Sequence, residues 1–211
     1  MSIRFLSVLL LTLLVSTAAA QTPAVAAPTA VKSPSQIVLT RSKAVVDTLV
    51  ANREEFRADK SKLNAFVLAE LDTIFDRDYS ARLVLARHSR SASDAQIAAF
   101  ASALTNNLLQ RYGAAMLEVT GALDVRIRSE TPLRDGKLMR VNSEIMRPGG
   151  APVPIDYLFR DTGNGWKAFD VIIEGVSYVQ TYRTQFDALL RTESLEAVTK
   201  RLAEGSLSAG E

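Results

Sequence analysis

The chain reads as an α+β fold in which helices flank an antiparallel sheet. Three observations predict it: apolar residues recur at three- and four-residue steps up to about position 116; from Gly121 to about Glu174 they alternate every second residue; and after Gly175 the helical step returns. Consecutive strands set between runs of helices leave one sheet face for the helices to cover.

The helices come first. Ile37, Val38, Arg41, Val45, Val46 and Leu49 step along one helix, with Ser35 as its expected N-cap, and Leu63, Phe66, Val67, Leu71 and Ile74 mark a second over residues 61–75. The segment Asp76-Arg77-Asp78-Tyr79-Ser80 reads as a turn with a local ion pair, and residues 81–88 as a short helix that is apolar on several sides. Ser93 with Gln96 forms a capping box opening a long helix, whose stripe runs through Ile97, Phe100, Ala101, Leu104, Leu108, Tyr112 and Met116.

The strands follow. Leu123, Val125 and Ile127 alternate with charged residues, as do Met139, Val141 and Ile145. Val153, Ile155, Tyr157 and Phe159 share one side of a third strand, and Phe169, Val171 and Ile173 one side of a fourth. Pro148-Gly149-Gly150 and Asp161-Thr162-Gly163-Asn164-Gly165 supply turns, which makes the sheet a meander. Val176, Val179, Tyr182, Phe186, Leu189 and Leu190 then mark one helix, and Leu195, Val198 and Leu202 a last one.

The N-terminus carries Arg4, an apolar stretch from Phe5 to Val15, and the small residues Ala18, Ala19 and Ala20. This is the pattern of a cleaved export signal, and the apolar stretch is far short of the roughly 20 residues that cross a bilayer. The expected organisation is a signal peptide at 1–20, a flexible Ala-, Pro- and Thr-rich leader at 21–35, one domain at 36–205 and a disordered tail at 206–211.

Composition excludes several kinds of chemistry. The chain has no Cys and one His, so thiolate metal sites, disulfides and a cysteine nucleophile are out, and zinc or haem ligation is unsupported. Without Arg4, 24 Lys and Arg face 23 Asp and Glu, a balance unlike that of a nucleic-acid surface. His88 lies in Arg87-His88-Ser89-Arg90, which reads as a solvated helix end and not as part of a serine triad.

The positive signal is apolar. Tyr79, Leu83, Phe100, Leu104, Leu108, Tyr112 and Met116 on helices face Val125, Ile127, Met139, Val141, Tyr157, Phe159, Phe169, Val171 and Ile173 on strands. Periodicity gives these residues a common side but does not separate a filled core, the ordinary reading, from a cavity.

The stretch Trp166-Lys167-Ala168-Phe169-Asp170-Val171-Ile172-Ile173-Glu174-Gly175-Val176-Ser177, followed by Tyr182-Arg183 and Phe186, resembles the signature of the MlaC, or toluene-tolerance auxiliary, family. The resemblance extends upstream through Asp78-Tyr79 and the helix opened by Ser93. It implies a periplasmic phospholipid carrier, not an enzyme, with an NTF2-like curved antiparallel sheet wrapped by helices and further N- and C-terminal helices. Under that resemblance the sixteen apolar residues above are the candidate lipid-binding set, and Arg147, Lys167 and Arg183 are candidates for the headgroup. It also implies bound phospholipid as cargo with no cofactor, a monomer, and two partners. These are an inner-membrane ABC transporter complex with an MCE-domain protein and an outer-membrane lipoprotein–porin complex.

Motif residues carry structural expectations too. Asp170 is out of phase with Phe169, Val171 and Ile173 and is expected to face away from the tails. With Glu174 it would fix the strand-to-helix junction, with Gly175 allowing the turn and Ser177 capping the next helix. Trp166 is expected to pack in the core. Two other readings stay open: an isomerase or dehydratase of the same cone, with Tyr157 or Tyr79 as acid or base, and a solid-cored periplasmic binding or assembly module.

Overall fold

The computed structural model describes residues 32–118, 124–147, 149–207 and 209. The expected signal peptide and most of the expected leader lie outside the described residues. The elements run α1 (Pro34–Ala51), α2 (Arg53–Ala58), α3 (Lys60–Ile74), α4 (Arg77–Leu85), a 3₁₀ turn (Ala86–Arg90), α5 (Asp94–Met116), β1 (Asp124–Leu133), β2 (Leu138–Met146), β3 (Val153–Asp161), β4 (Trp166–Ile173), β5 (Val176–Ser177), α6 (Tyr178–Leu189) and α7 (Leu195–Ala203). The five strands pair in sequence order, each antiparallel to the next. This is the α+β arrangement that the change of period predicted.

Local chemistry sets the boundaries. The capping box at Ser93 and Gln96 is formed as read. At α1, however, the cap is Ser33 and not Ser35: Pro34 occupies the first turn, where its missing N–H costs nothing, and Gln36 closes a second capping box. Asp76 does not sit in a free turn. It caps α4 by accepting from the Tyr79 N–H at 3.0 Å, and its charge pairs with Arg160, whose guanidinium lies 4.6 Å from the Tyr79 ring centroid. Arg77 pairs with Asp72 at 2.6 Å, so the charges of this segment reach outward and not to one another.

One sheet face is polar, with Arg140 bonded to Asp156 and Arg128 to Glu144 across the strands. On the other face Val141, Phe159 and Ala168 are fully buried against Val38 of α1, with Ile74, Phe75, Val125, Ile127, Met139, Tyr157 and Trp166 packed around them. Trp166 is thus a core residue, as expected. A second core joins α4, α5, α6 and α7 around Leu85, Ile97, Phe100, Phe186, Val198 and Leu202. A third joins α1, α2, α3 and α5, with Phe56 stacked on Phe66 at 5.7 Å.

A bulge at Phe169 interrupts β4: Phe159 faces Ala168, but Leu158 faces Asp170. Beyond β4 the sheet continues only through the two residues of β5, so most of β4 would be an open edge. The α3–α4 junction covers it. The Asp76 N–H donates to the Ala168 carbonyl at 2.8 Å, and the Ser80 hydroxyl to the Phe169 carbonyl at 2.8 Å.

Past α7 the described residues 205–207 and 209 are bonded back to the fold, while the rest of the tail expected to be disordered lies outside the described residues. Gly205, at φ +70°, completes a Schellman turn in which its N–H and that of Ser206 donate to the carbonyls of Leu202 and Arg201. Buried Asn107 then holds the segment: its amide donates to the carbonyls of Leu202 and Leu207, and its oxygen accepts from the N–H of Ala209, itself fully buried. A polar residue within the α5 stripe is thereby fully satisfied, which is why it tolerates burial.

Candidate functional site

Helices α3, α4, α5 and α6 do not close completely on β4. Between them lies a cavity of about 500 Å³, walled by Val67, Leu71 and Phe75 from α3 and its end, by Ala81 and Val84 from α4, and by Ala101, Leu104, Leu108, Leu109, Tyr112, Gly113 and Met116 from α5. Phe169, Val171 and Ile173 of β4 and Tyr178, Val179 and Tyr182 of α6 complete the apolar lining, with Arg77, Ser80, Thr105 and Asp170 as its polar members. The volume falls within the ~300–1,000 Å³ range of small-molecule pockets.

The structure therefore brings together Leu104, Leu108, Tyr112, Met116, Phe169, Val171 and Ile173 of the predicted set. It does not bring Tyr79, Leu83, Phe100, Val125, Ile127, Met139, Val141, Tyr157 or Phe159 to the cavity. Phe100 packs edge-on to Phe186 at 5.0 Å in the α4–α7 core, and Leu83 is half-buried on α4. Tyr79 meets Phe169 edge-on at 5.3 Å behind the wall. The remaining six belong to the sheet face that α1 covers. Their side of the strands was read correctly, but α1 fills it.

The headgroup candidates lie elsewhere as well. The Lys167 ammonium donates to the carbonyls of Asp72 and Thr73 at 2.8 and 2.6 Å, neutralising the C-terminal end of α3. Arg147 and Arg183 are exposed and outside the lining.

Asp170 was expected to point away from the apolar side, yet it lines the cavity while 6% exposed. The bulge at Phe169 explains this, because it breaks the alternation of β4 and brings the consecutive residues Phe169, Asp170 and Val171 all to the cavity. The carboxylate is committed structurally: it accepts from the Ser177 hydroxyl at 2.6 Å and the Val179 N–H at 3.0 Å. Ser177 in turn caps α6 by accepting from the Gln180 N–H at 3.0 Å. Glu174 and Gly175, both at positive φ, form the two-residue turn between β4 and β5. The motif is thus a joint between strand and helix, as expected for Glu174, Gly175 and Ser177.

Asp170→Ala would leave the half-buried Val179 N–H unpaired and release the cap. The expected loss is about 2–3 kcal/mol, read as a fall of roughly 4–12 °C in Tm. Asp170→Asn, which keeps an acceptor, should lose less.

Catalytic geometry is absent among the described residues. His88 Nε2 lies 3.1 Å from Asp187, which also holds Arg87 and Arg191 at 2.8 and 2.9 Å, and Ser89 donates to the Ala86 carbonyl. This cluster ties the 3₁₀ turn to α6; the Arg191 hydrogen bond first and the His88 hydrogen bond second, with the charges of Arg87 and Arg191, hold the Asp187 carboxyl below the usual range. Burial pushes the Tyr157 phenol up, against a smaller downward pull from Ser42. Burial also raises Tyr182, with Tyr112 and Tyr178 adding to it and Arg111 opposing, to about 12. No group of three His, Cys, Asp or Glu able to hold a metal occurs among the described residues, nor does a helix long and apolar enough to cross a membrane.

Fold and site together define an α+β protein with a greasy internal cavity between helices and a sheet edge. The family model for the MlaC protein matches residues 40–204, and the chain belongs to that family. It is 28% identical over 164 residues to the toluene tolerance protein ttg2D of Pseudomonas putida, covering 77% of this chain and 75% of the relative. Its fold matches that of a phospholipid-binding protein from Ralstonia solanacearum, solved in complex with a phospholipid, with a TM-score of 0.70 at 22% identity over 80% of this chain and 94% of the other.

Proposed function

We propose that this protein is an exported, non-catalytic carrier that houses phospholipid tails in the α3–α4–α5–α6 cavity. It would shuttle lipid across the periplasm between an outer-membrane lipoprotein–porin complex and an inner-membrane ABC transporter with an MCE-domain protein, maintaining outer-membrane lipid asymmetry. The observation that carries the reading is the apolar lining of the cavity: its one carboxylate, Asp170, is already spent on Ser177 and Val179, leaving no poised base.

The energetics fit a carrier. At about 0.8 kcal/mol per methylene, exposing some thirty methylenes of a diacyl lipid costs on the order of 25 kcal/mol, too much for free diffusion through water. A cavity of about 500 Å³, at ~30 Å³ per liquid-packed group, takes about one acyl tail at rest. A second tail requires the helical walls to part, and that deformability would also help release, since a ligand is held only by its preference for the loaded state.

Protein purified without detergent should yield diacyl phospholipid at close to one per chain when its extract is analysed by mass spectrometry. An apo preparation that takes up no lipid from vesicles would favour the solid-cored binding or assembly module instead.

A further inference from the structure

Resting on the carrier reading, we infer that Arg77, latched to Asp72, is the end stop of the cavity and limits the length of acyl chain that the protein encloses. Phe75 and Arg77 line not only the apolar cavity but also a second cleft of about 390 Å³, whose other walls are Asp72, Asp76, Asp78, Thr162, Asn164 and Lys167. The two spaces have no other lining residue in common, so these two residues are the partition between them.

The helices bring the apolar wall to an end at the same place. On α3 the lining residues Val67, Leu71 and Phe75 follow at four-residue steps, and Phe75 stands just past the helix. On α4 the lining residues Val84, Ala81, Ser80 and Arg77 share one face. Followed back to the first residue of the helix, that face runs from apolar through a hydroxyl to a charge. An arginine suits such a boundary, because its methylene stem can close an apolar space while its guanidinium stays in a polar one. The Arg77 guanidinium reaches Asp72, a wall of the cleft, at 2.6 Å.

The backbone of the partition is pinned. Phe75 is bridged to Ala168 of β4, the Asp76 N–H donates to the Ala168 carbonyl, and Lys167 holds the carbonyls of Asp72 and Thr73. A tail that presses on it must therefore drive the Arg77 side chain away from Asp72. Beyond lies a cleft where Asp72, Asp78 and Asn164 are exposed, so a methylene that enters it gains no burial.

Uptake from vesicles tests this with symmetric monounsaturated phosphatidylglycerols of about 14 to about 22 carbons per tail, a series that brackets the roughly 17 groups the cavity holds at rest. Uptake of each lipid is normalised to the same protein's uptake of the shortest. Up to the limiting length a methylene passes from one apolar surrounding to another, so wild-type uptake should stay level. Beyond it, uptake should fall about fourfold for each methylene left unenclosed. Arg77→Ala should move that break to tails longer by at least about two carbons. Asp72→Asn, a change at an exposed residue, should move it in the same direction by freeing the Arg77 stem to swing into the cleft. Asp78→Asn, which removes a charge of the cleft that does not hold Arg77, should leave the break where it is. A wild type without a break, a break that stays in place in Arg77→Ala or in Asp72→Asn, or one moved equally by Asp78→Asn would overturn the stop and leave the carrier reading standing. Wild-type protein that takes up none of the series would overturn the carrier reading itself.

Discussion

Val171→Glu should purify folded and empty of phospholipid. Val171 pairs with Tyr157 across β3 and β4, is only half-buried, and forms part of the cavity wall. A carboxylate there remains hydrated while the cavity is empty, because the space beside it admits water, so folding loses little. Loading is another matter. A tail would have to strip that water from an unpaired charge, which costs several kcal/mol, while each methylene that fails to enter forfeits about 0.8 kcal/mol. A penalty of this size lowers retention by at least about a hundredfold. Val171→Ala should keep its lipid, since it removes volume and adds no charge. The measurement is the phospholipid-to-protein ratio after detergent-free purification, with circular dichroism to check the fold. A Val171→Glu protein carrying the same lipid would show that the tails go elsewhere.

Much of the fold was legible because the chain announces its elements twice, by period and by cap. Ser93 with Gln96, Ser177 before Tyr178, and the change of step after Gly121 each have a local cause and were readable without tertiary information. What escaped was set by tertiary contacts or by very short elements. Helix α2 buries only Phe56 and offers no repeating stripe. Strand β5 is two residues long and exists because β4 has an edge to pair with. The bulge at Phe169 leaves no trace in a sequence whose neighbours Ala168 and Val171 are both apolar, yet it is what allows Asp170 to reach the cavity wall. The hydrogen bonds that hold Leu207 and Ala209 depend on Asn107, more than ninety residues upstream, and no local pattern reveals that pairing.

The site was half legible for the same reason. Alternation assigned Val141, Tyr157 and Phe159 to an apolar side, and they are on one, but alternation does not say what lies opposite. Helix α1 lies opposite, and it fills the space with Val38 and Ile37. The hollow occurs one layer along, where Ala81, Ala101 and Gly113 put small side chains on the helices facing β4. Those residues read as ordinary helix interior, and only the packing of four helices around them leaves room.

That division predicts a second large effect, opposite in kind to the first. Phe159→Ala should destabilise the protein by about 3–5 kcal/mol, the usual range for emptying a filled aromatic site, and so lower Tm by roughly 6–20 °C. It should leave the lipid content of the folded protein unchanged. Phe159 is fully buried between Val141, Ala168 and Val38 and is not part of the cavity lining, so its removal opens a void in the core under α1 and leaves the lining side chains in place. The paired result, stability lost without lipid at Phe159 and lipid lost without stability at Val171, would separate the solid core under α1 from the binding space. If Phe159→Ala instead strips the lipid while the protein stays folded, the tails run across the sheet face, and α1 must lift to admit them.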